Sequence, residues 1–264
     1  RFSAILKTMS IVEIYFVATS AIRDAKNGRE FIESLEKKFN IKIHVISGKE
    51  EGLLAASGVL LGWPKATGIV CDIGGSSLEL AYLENGKIKT AQSFELGPLA
   101  LQDYHVLGKS KQEVIKLKLS KINKSFPNKI NSLFLVGGCW RGLAKIHMNL
   151  TNYPLKVLQG YKVSVKNFDP TLEFISNTKN TELLQITSSS EERVKLLPDA
   201  CIVLKAIYEK FCPRELFFSG YGIREGIIFC QFNNEIKKLD PLLQACLYLE
   251  KNRSRYPGFG KILF

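Results

Sequence analysis

The first part of the chain alternates between runs that have the period of a strand and the period of a helix. EIYFVATSA (13–21) predicts a buried strand that runs into a loop, and IKIHVIS (41–47) alternates apolar and polar residues as a second strand does. Between them, NGREFIESLEKKFN (27–40) places its apolar residues on one helical face, with Asn27 as the candidate N-cap.

A second helix is predicted over GKEEGLLAASGVLLG (48–62). Ser47 and Glu50 have the S-x-x-E spacing of a capping box at its start, and Pro64 cannot continue it. Strand, helix, strand and helix is the order of an α/β layer. We place a domain boundary at Pro64.

The next part of the chain predicts a β-hairpin. TGIVCDIG (67–74) is a strand, and SSLELAYLE (76–84) and KIKTAQSFEL (87–96) are two further strands. The last two are joined by an Asn-Gly pair at 85–86, which favours a two-residue hairpin turn. A basic helical region follows over residues 98–125.

The remaining elements repeat the alternation. SLFLVGG (132–138) predicts a buried strand that ends in paired glycines, and the helix CWRGLAKIHMNL (139–150) follows it. Residues 180–188 are mostly polar and predict a linker. The helix over 198–211 begins with a proline, which suits a first turn. Residues 215–229 predict a strand, a glycine-rich turn and a helix.

Composition adds two constraints. Among 264 residues, 37 Lys and Arg face 25 Asp and Glu, a net charge of +12, which favours a polyanionic partner. A Lys-rich composition with solvated helix faces explains the charge equally well. The 6 cysteines and 3 histidines are scattered, which argues against a zinc site or a Cys–His nucleophile. No apolar run reaches the roughly 18 residues of a membrane span, so we expect a cytoplasmic protein that binds neither a membrane nor specific DNA.

Glycine-rich turns end three of the predicted strands, in CDIGG, LVGG and FSGYG. Backbone N–H groups at such a turn are already oriented and carry partial positive charge, so the turn forms a cradle for an anion. One sheet can aim several such turns at a single cleft. The pattern therefore favours a phosphate site.

Carboxylates adjoin the first glycine turn. Asp72 ends its strand there and Glu79 lies on the next strand, where a carboxylate can hold Mg²⁺ beside a phosphate. The residues alone leave alternatives open, because Asp72 can instead brace its own turn and Glu79 faces the site or solvent depending on the register. Glu51, at the start of the helix over 48–62, can activate a water or only interact with the helix dipole.

A series of blocks carries a family resemblance. In chain order the blocks are VATSAIRDAKNGREF, VISGKEEGLLAASGV, VCDIGGSSLELAYLENGKI, SFELGPLAL, FLVGGCWRGLAKIH, RVKLLPDACIVL and FFSGYGIREGIIF. Together they cover residues 14 to 230 and resemble the exopolyphosphatase and guanosine pentaphosphate phosphohydrolase (Ppx/GppA) family, of the actin/Hsp70/sugar-kinase superfamily.

The resemblance implies an α/β fold of the ribonuclease H-like (actin-like ATPase) type with two domains. Residues 1–64 would form the C-terminal part of domain I, 65–235 domain II, and 236–264 the start of a C-terminal helical region. The family opens its first domain with a DIGSNS-like phosphate loop. Nothing similar precedes residue 14, so we expect the first domain to be incomplete.

The resemblance also implies roles for individual residues. Glu51 stands where the family has the general base for water, and Arg23 matches an arginine at the cleft of the first domain. Asp72 and Glu79 match acidic residues around the catalytic Mg²⁺. The matches to the family's two phosphate-binding loops are Gly74, Gly75, Ser76 and Ser77 in the first loop and Gly137 and Gly138 in the second.

Several positions depart from the family pattern. Ser76 replaces a third glycine and Leu78 replaces a common threonine. Cys139 and Trp140 stand where small hydroxyl residues and Phe are usual, and Gly52 replaces an alanine early in a helix. None of these changes removes a carboxylate.

The function implied by the resemblance is hydrolysis of terminal phosphoanhydride bonds in polyphosphate or guanosine pentaphosphate, with Mg²⁺ as cofactor and a place in the stringent response. A homodimer is a candidate assembly. The alternatives are a catalytically impaired module that binds polyphosphate or nucleotide, and a kinase of the same superfamily.

Overall fold

The structure, a computed structural model, describes residues 5–6, 8–9, 11, 13–103, 110–187 and 189–258. The chain divides into two compact units, Arg1–Gly48 and Lys49–Phe264. None of the helices in these described stretches has the length and apolar composition needed to cross a membrane.

The first unit contains a short parallel sheet and helices, of which two lie wholly within the described residues. Strand β1 (Phe16–Ala18) pairs with β2 (Ile43–Val45), and the helices are α1 (Ser20–Arg23) and α2 (Gly28–Phe39). The strand predicted in EIYFVATSA is present as β1, but the prediction that it is buried is wrong, because all three of its residues are half-buried. Among the described residues, β1 pairs only with β2.

The helix predicted over 27–40 is present as α2, but its predicted cap is absent. Asn27 has φ −103° and ψ 13°, outside the extended conformation of an N-cap, and its side chain makes no capping hydrogen bond. At the other end, Asn40 ends the helix in the left-handed conformation, with φ 51° and ψ 53°.

The second unit is built on a six-stranded mixed sheet in the order β5-β4-β3-β6-β8-β7. Its strands are β3 (Gly68–Ile73), β4 (Leu78–Glu84), β5 (Lys87–Phe94), β6 (Ser132–Val136), β7 (Tyr161–Ser164) and β8 (Glu215–Phe218). Strands β3, β6 and β8 run parallel to one another, whereas β4, β5 and β7 pair antiparallel with their neighbours. The carboxyl ends of the three parallel strands therefore meet at one edge of the sheet.

Helices cover both faces of this sheet. They are α3 (Gly48–Gly62), α4 (Pro98–Asp103), α5 (Lys111–Leu119), α6 (Gly138–Leu150), α7 (Val165–Asn177), α8 (Asn180–Ile186), α9 (Glu191–Val194), α10 (Leu197–Phe211) and α11 (Ile223–Gln231). A further helix, α12 (Pro241–Arg253), has no buried residue. A mixed sheet between helical layers confirms the predicted α/β class.

Two hydrophobic cores result from the alternation of side chains along each strand. Ile69, Cys71 and Ile73 of β3 join the larger core, which contains side chains of α6, α7 and α10. Val70, on the other face, joins the smaller core with side chains of α3. Every residue of β3 is buried, because both of its faces are covered.

Helices α3 and α11 approach each other through glycines. A β-carbon at Gly58 would lie 2.2 Å from the carbonyl oxygen of Gly222, and one at Gly226 would lie 1.9 Å from the carbonyl oxygen of Leu54. Side chains at these positions would hold the helices apart. The two glycines therefore set how closely α11 packs on α3.

The division between the units falls before α3, whereas the predicted domain boundary followed that helix. Ala55, Ala56 and Val59 of α3 are fully buried in the smaller core of the second unit, so the helix packs with the sheet that follows it. The assignment of 1–64, 65–235 and 236–264 to actin-like domains and a helical region stays a prediction.

Other sequence predictions have mixed outcomes. Helix α3 begins at Gly48 as predicted, although the Ser47–Glu50 capping box stays a prediction. The turn at 85–86 is confirmed, with φ 50° at Asn85 and 74° at Gly86. The predicted helical region over 98–125 contains α4 and α5, with residues 104–109 lying outside the described residues.

The predicted linker over 180–188 is wrong for most of its length. Residues Asn180–Ile186 form α8, and Leu183 is completely buried in the larger core. Leu183, with the partly buried Leu184 and Ile186 that pack against the same core, therefore holds this segment in a helix. The predictions also missed β7 and α7. Helix α7 has polar residues that mask its helical pattern, and it contains Pro170.

Candidate active site

The hairpin of β3 and β4 brings two acidic residues together. Asp72 and Glu79 are directly paired across the two antiparallel strands. Directly paired residues lie on the same face of a sheet, here the face covered by α3. The open question about the face of Glu79 is thereby answered: it faces inward beside Asp72 and is only 1% exposed.

Helix α3 contributes a third carboxylate, Glu51, which is 5% exposed. The next residue explains how the helix reaches the sheet. A β-carbon on Gly52 would lie 3.4 Å from the Cβ atoms of both Glu79 and Ala91, so the start of α3 lies directly against Glu79. Glu51, Asp72 and Glu79 thus form a buried acidic cluster.

The buried carboxylates influence one another's ionisation. Burial raises the pKa of Asp72 to about 7, the nearby Glu51 carboxylate raises it as well, and the Arg141 guanidinium opposes the rise. Burial, followed by Glu51, raises the pKa of Glu79 to about 8. The acidic cluster therefore disfavours the ionised forms of its carboxyls, and a bound cation would favour them.

Serine hydroxyls support Glu79. Ser93 lies opposite Glu79 on β5, and its Oγ donates a hydrogen bond of 2.7 Å to Glu79 Oε1, which lowers the pKa of Glu79. Ser77 is buried and also lowers that pKa, although its Oγ makes no hydrogen bond of standard geometry within the described part of the chain. One buried hydroxyl is thus available beside the acidic cluster.

The first predicted phosphate loop, Gly74 to Ser77, joins β3 to β4. Gly74 N–H donates to the Ser77 carbonyl, and the carbonyls of Gly75 and Ser76 accept from the N–H groups of Leu99 and Gly97. These bonds hold the loop through its carbonyl oxygens. Ser76 is not among the described residues with positive φ, so replacing the family's glycine does not strain this backbone.

The second predicted loop, Gly137 and Gly138, follows β6 at the same edge of the sheet. Gly137 has φ 116°, and a β-carbon there would lie 3.0 Å from a carboxylate oxygen of Asp72. A β-carbon on Gly138 would meet no atom within 4 Å. The loop therefore borders Asp72 directly and leaves open space at the start of α6, where helical N–H groups lack partners within the helix.

Trp140 fixes the first turn of α6 beneath the site. Its side chain is completely buried, and its indole Nε1 donates a hydrogen bond of 3.1 Å to the Cys71 carbonyl, one residue before Asp72. The phenylalanine usual in the family has no N–H with which to make this bond. The departure at Trp140 thus ties α6 to β3.

The third glycine turn is closed, contrary to the expectation from FSGYG. Gly220 N–H donates to Gln159 Oε1, Tyr221 N–H to Ser219 Oγ, and Gly222 N–H to Glu225 Oε2. All three N–H groups of the turn have partners within the protein. Only the turns after β3 and β6 remain as candidate anion cradles.

The donors of the acidic cluster are all oxygens, the ligands that Mg²⁺ prefers. Within the described residues, no group of three or more His, Cys, Asp or Glu side chains converges closely enough to hold an ion alone. A Mg²⁺ ion at Asp72 and Glu79 would therefore need water or substrate oxygens as its other ligands.

One arginine was predicted from the sequence as a site residue, and a second was not. Arg23, predicted as catalytic, lies in the first unit, where its Nη1 donates to the Ile46 carbonyl and its Nε to Asp24. Arg141 was not singled out by the sequence, yet its charge acts on Asp72. Its position one turn after the second glycine loop was the available signal.

Two curated proteins are similar to this chain in sequence. The chain is 26% identical over 239 residues to the guanosine-5'-triphosphate,3'-diphosphate pyrophosphatase of Aeromonas salmonicida, covering 88% of this chain and 48% of that protein. It is 21% identical over 275 residues to retrograde regulation protein 2 of Saccharomyces cerevisiae, covering 93% and 46%. The chain thus spans about half the length of these curated relatives.

A solved structure has the same fold. The exopolyphosphatase from Cytophaga hutchinsonii superimposes with a TM-score of 0.75 at 22% identity, covering 86% of this chain and 77% of that one. The predicted actin-like fold class is thereby confirmed. The model of the Ppx/GppA phosphatase family matches residues 1–235. This chain therefore belongs to the Ppx/GppA phosphatase family.

Proposed function

We propose that the site hydrolyses terminal phosphoanhydride bonds of polyphosphate or guanosine pentaphosphate. The observation that carries the proposal is the buried cluster of Glu51, Asp72 and Glu79 beside two glycine loops. The names of the similar proteins, a guanosine pentaphosphate pyrophosphatase and an exopolyphosphatase, support this substrate class.

In the proposed reaction, Glu51 accepts a proton from a water, whose oxygen forms a bond to the terminal phosphorus. The bridging P–O bond breaks, and the shortened chain leaves with the electron pair. Backbone N–H groups of Gly75 to Ser77 and of the loop at Gly137–Gly138 donate to the phosphoryl oxygens where charge accumulates. The Gly74 N–H is already bonded to the Ser77 carbonyl.

The cofactor proposed for this site is Mg²⁺, held by Asp72 and Glu79. When bound, the ion would offset the charge of the phosphoryl oxygens and of the acidic cluster. Glu79 is oriented for this by the hydroxyl of Ser93. The proposed cation accounts for three buried carboxylates lying close together.

The test of the proposed function is the substitution Glu51→Gln. With Mg²⁺, we expect phosphate release from both substrates to fall by roughly 10²- to 10⁴-fold, because the amide cannot accept the proton. Substrate affinity, measured by calorimetry, should stay nearly unchanged.

The matched control is Glu50→Gln, on the neighbouring exposed residue. Glutamine is also accepted at this position of a capping box, so this variant should keep its activity. Equal activity of Glu51→Gln and Glu50→Gln would contradict the role of Glu51. Substrate binding without phosphate release by the wild-type protein would favour the alternative of a binding module, and phosphate transfer from ATP to a sugar would favour a kinase.

The finer assignments rest on the family resemblance. A cytoplasmic location, a homodimer and a place in the stringent response remain predictions. The relative named retrograde regulation protein 2 carries no catalytic activity in its name, so the comparison does not select one substrate.

A further inference from the structure

Arg141 lies next to the proposed phosphate site. Its backbone N–H donates to the Gly137 carbonyl at 3.2 Å, so the residue is one helical turn from the second glycine loop. The preceding residue, Trp140, is held by its bond to the Cys71 carbonyl. The first turn of α6 is therefore fixed against the end of β3.

The guanidinium of Arg141 lacks a hydrogen-bond or ion-pair partner among the described residues. Its Nε is buried without a hydrogen-bond acceptor, and no carboxylate in the described part of the chain lies within ion-pair distance of its guanidinium. Its charge nevertheless acts on Asp72. Cation and carboxylate are thus near each other but not in contact.

A buried donor without an acceptor is unfavourable, and structural arginines normally pair with a carboxylate or a carbonyl. Arginine is also the side chain best suited to phosphate, because its planar fork donates to two oxygens at once. An anion at the glycine loops would supply the missing acceptor.

We propose that Arg141 is a phosphate-binding residue, which donates to a non-bridging oxygen of the phosphoryl group held at Gly137 and Gly138. The inference rests on the proposed function for the identity of the anion. It adds a side-chain contact to a cradle that otherwise consists of backbone N–H groups.

The experiment measures the binding of tripolyphosphate by calorimetry. All variants carry Glu51→Gln, so that the probe is not consumed. We expect Arg141→Gln to weaken binding by roughly 10- to 100-fold, since a charge-assisted hydrogen bond is lost. Arg141→Lys keeps the charge without the fork and should give an intermediate affinity.

The matched control is Lys145→Gln, which removes one positive charge from the exposed side of the same helix, one turn later. It should bind tripolyphosphate within about threefold of the parent, because a single surface charge contributes little. Thermal melts of all variants should remain cooperative, which would show that weaker binding by Arg141→Gln does not come from loss of the fold.

A second measurement separates this inference from the proposed function. With Glu51 intact, Arg141→Gln should lower kcat/KM for phosphate release by a similar factor. If wild-type protein releases phosphate while Arg141→Gln binds and reacts like Lys145→Gln, the inference is wrong and the proposed function stands.

The experiment also distinguishes a failure of the proposed function from a failure of the inference. If Arg141→Gln weakens tripolyphosphate binding while wild-type protein releases no phosphate, Arg141 keeps its role and the proposed function fails. Absence of tripolyphosphate binding in the parent would overturn the inference outright.

Discussion

Among single residues, Asp72 makes the stability of the protein depend on pH. In an unfolded chain its carboxyl would titrate near the ordinary value of 3.8, whereas in the folded protein its pKa is about 7. The folded state therefore holds more protons than the unfolded state between these values. Linkage then requires the free energy of unfolding to fall as the pH rises through this range, until both states are ionised.

Asp72→Asn should raise the stability of the Mg²⁺-free protein at about pH 8 and abolish phosphate release. The amide removes a buried negative charge from beside Glu51 and Glu79, and each unit of pKa shift corresponds to about 1.4 kcal/mol. The difference from wild type should vanish near pH 4. Chemical denaturation in EDTA across this pH range measures the effect.

The control for this prediction is Glu192→Gln, on the exposed first turn of α9, which should leave the pH dependence of stability unaltered. A wild-type stability that rises between about pH 5 and pH 8 would contradict the sign derived from Asp72. A change in the same direction from Glu192→Gln would assign the effect to general charge instead.

Glu79 illustrates what the sequence could predict at a single site. Its residue type and spacing from Asp72 indicated a metal-site role, but an alternating strand does not reveal which face is buried. Register decides this, and a slip of one residue would turn Glu79 to the opposite face. The pairing of Asp72 with Glu79 could therefore be identified only from the three-dimensional structure.

At the scale of elements, α3 positions the site because small residues let it approach its neighbours. Gly58 meets the backbone of Gly222, and Gly52 lies against Glu79. The sequence predicted the bounds of α3 correctly but treated Gly52 only as a weak helix former. Its packing role depends on a sheet that local patterns cannot place.

Two substitutions on α3 should have opposite effects. Gly58→Ala would place a β-carbon 2.2 Å from the Gly222 carbonyl oxygen, so we expect destabilisation by about 1–3 kcal/mol or more. Gly52→Ala meets only van der Waals contacts at 3.4 Å and improves helix propensity, which predicts up to about 1 kcal/mol of stabilisation.

Denaturant unfolding of both variants tests this contrast, and each serves as the control for the other. Because both variants replace glycine by alanine on the same helix, a change in helix propensity alone would change the stability of both in the same direction. Stabilisation by Gly58→Ala would therefore refute the close packing of α3 on α11.

Elements that the sequence missed share one physical cause. Helix α8 is polar except for a few residues, and the burial of Leu183 decides its state. The turn at Gly220 looked like the other glycine turns, yet Gln159, which is distant in sequence, occupies its N–H. Long-range contacts of this kind leave no local periodicity.

For the whole molecule, the open question is whether the net charge of +12 serves the function. A positive surface would attract a long polyanion more strongly than a nucleotide, because more phosphates lie within reach of its field. If the charge reflects only composition, the two substrates should respond to salt in the same way.

We expect kcat/KM for long polyphosphate to fall about 10-fold or more when NaCl rises from about 50 to about 200 mM, since bound counterions are released along a polyanion. For guanosine pentaphosphate the fall should be smaller, because few of its charges extend beyond the site. Steady-state phosphate release at constant free Mg²⁺ measures both slopes. Parallel slopes would show that the positive charge is compositional, and that recognition is confined to the glycine loops and the acidic cluster.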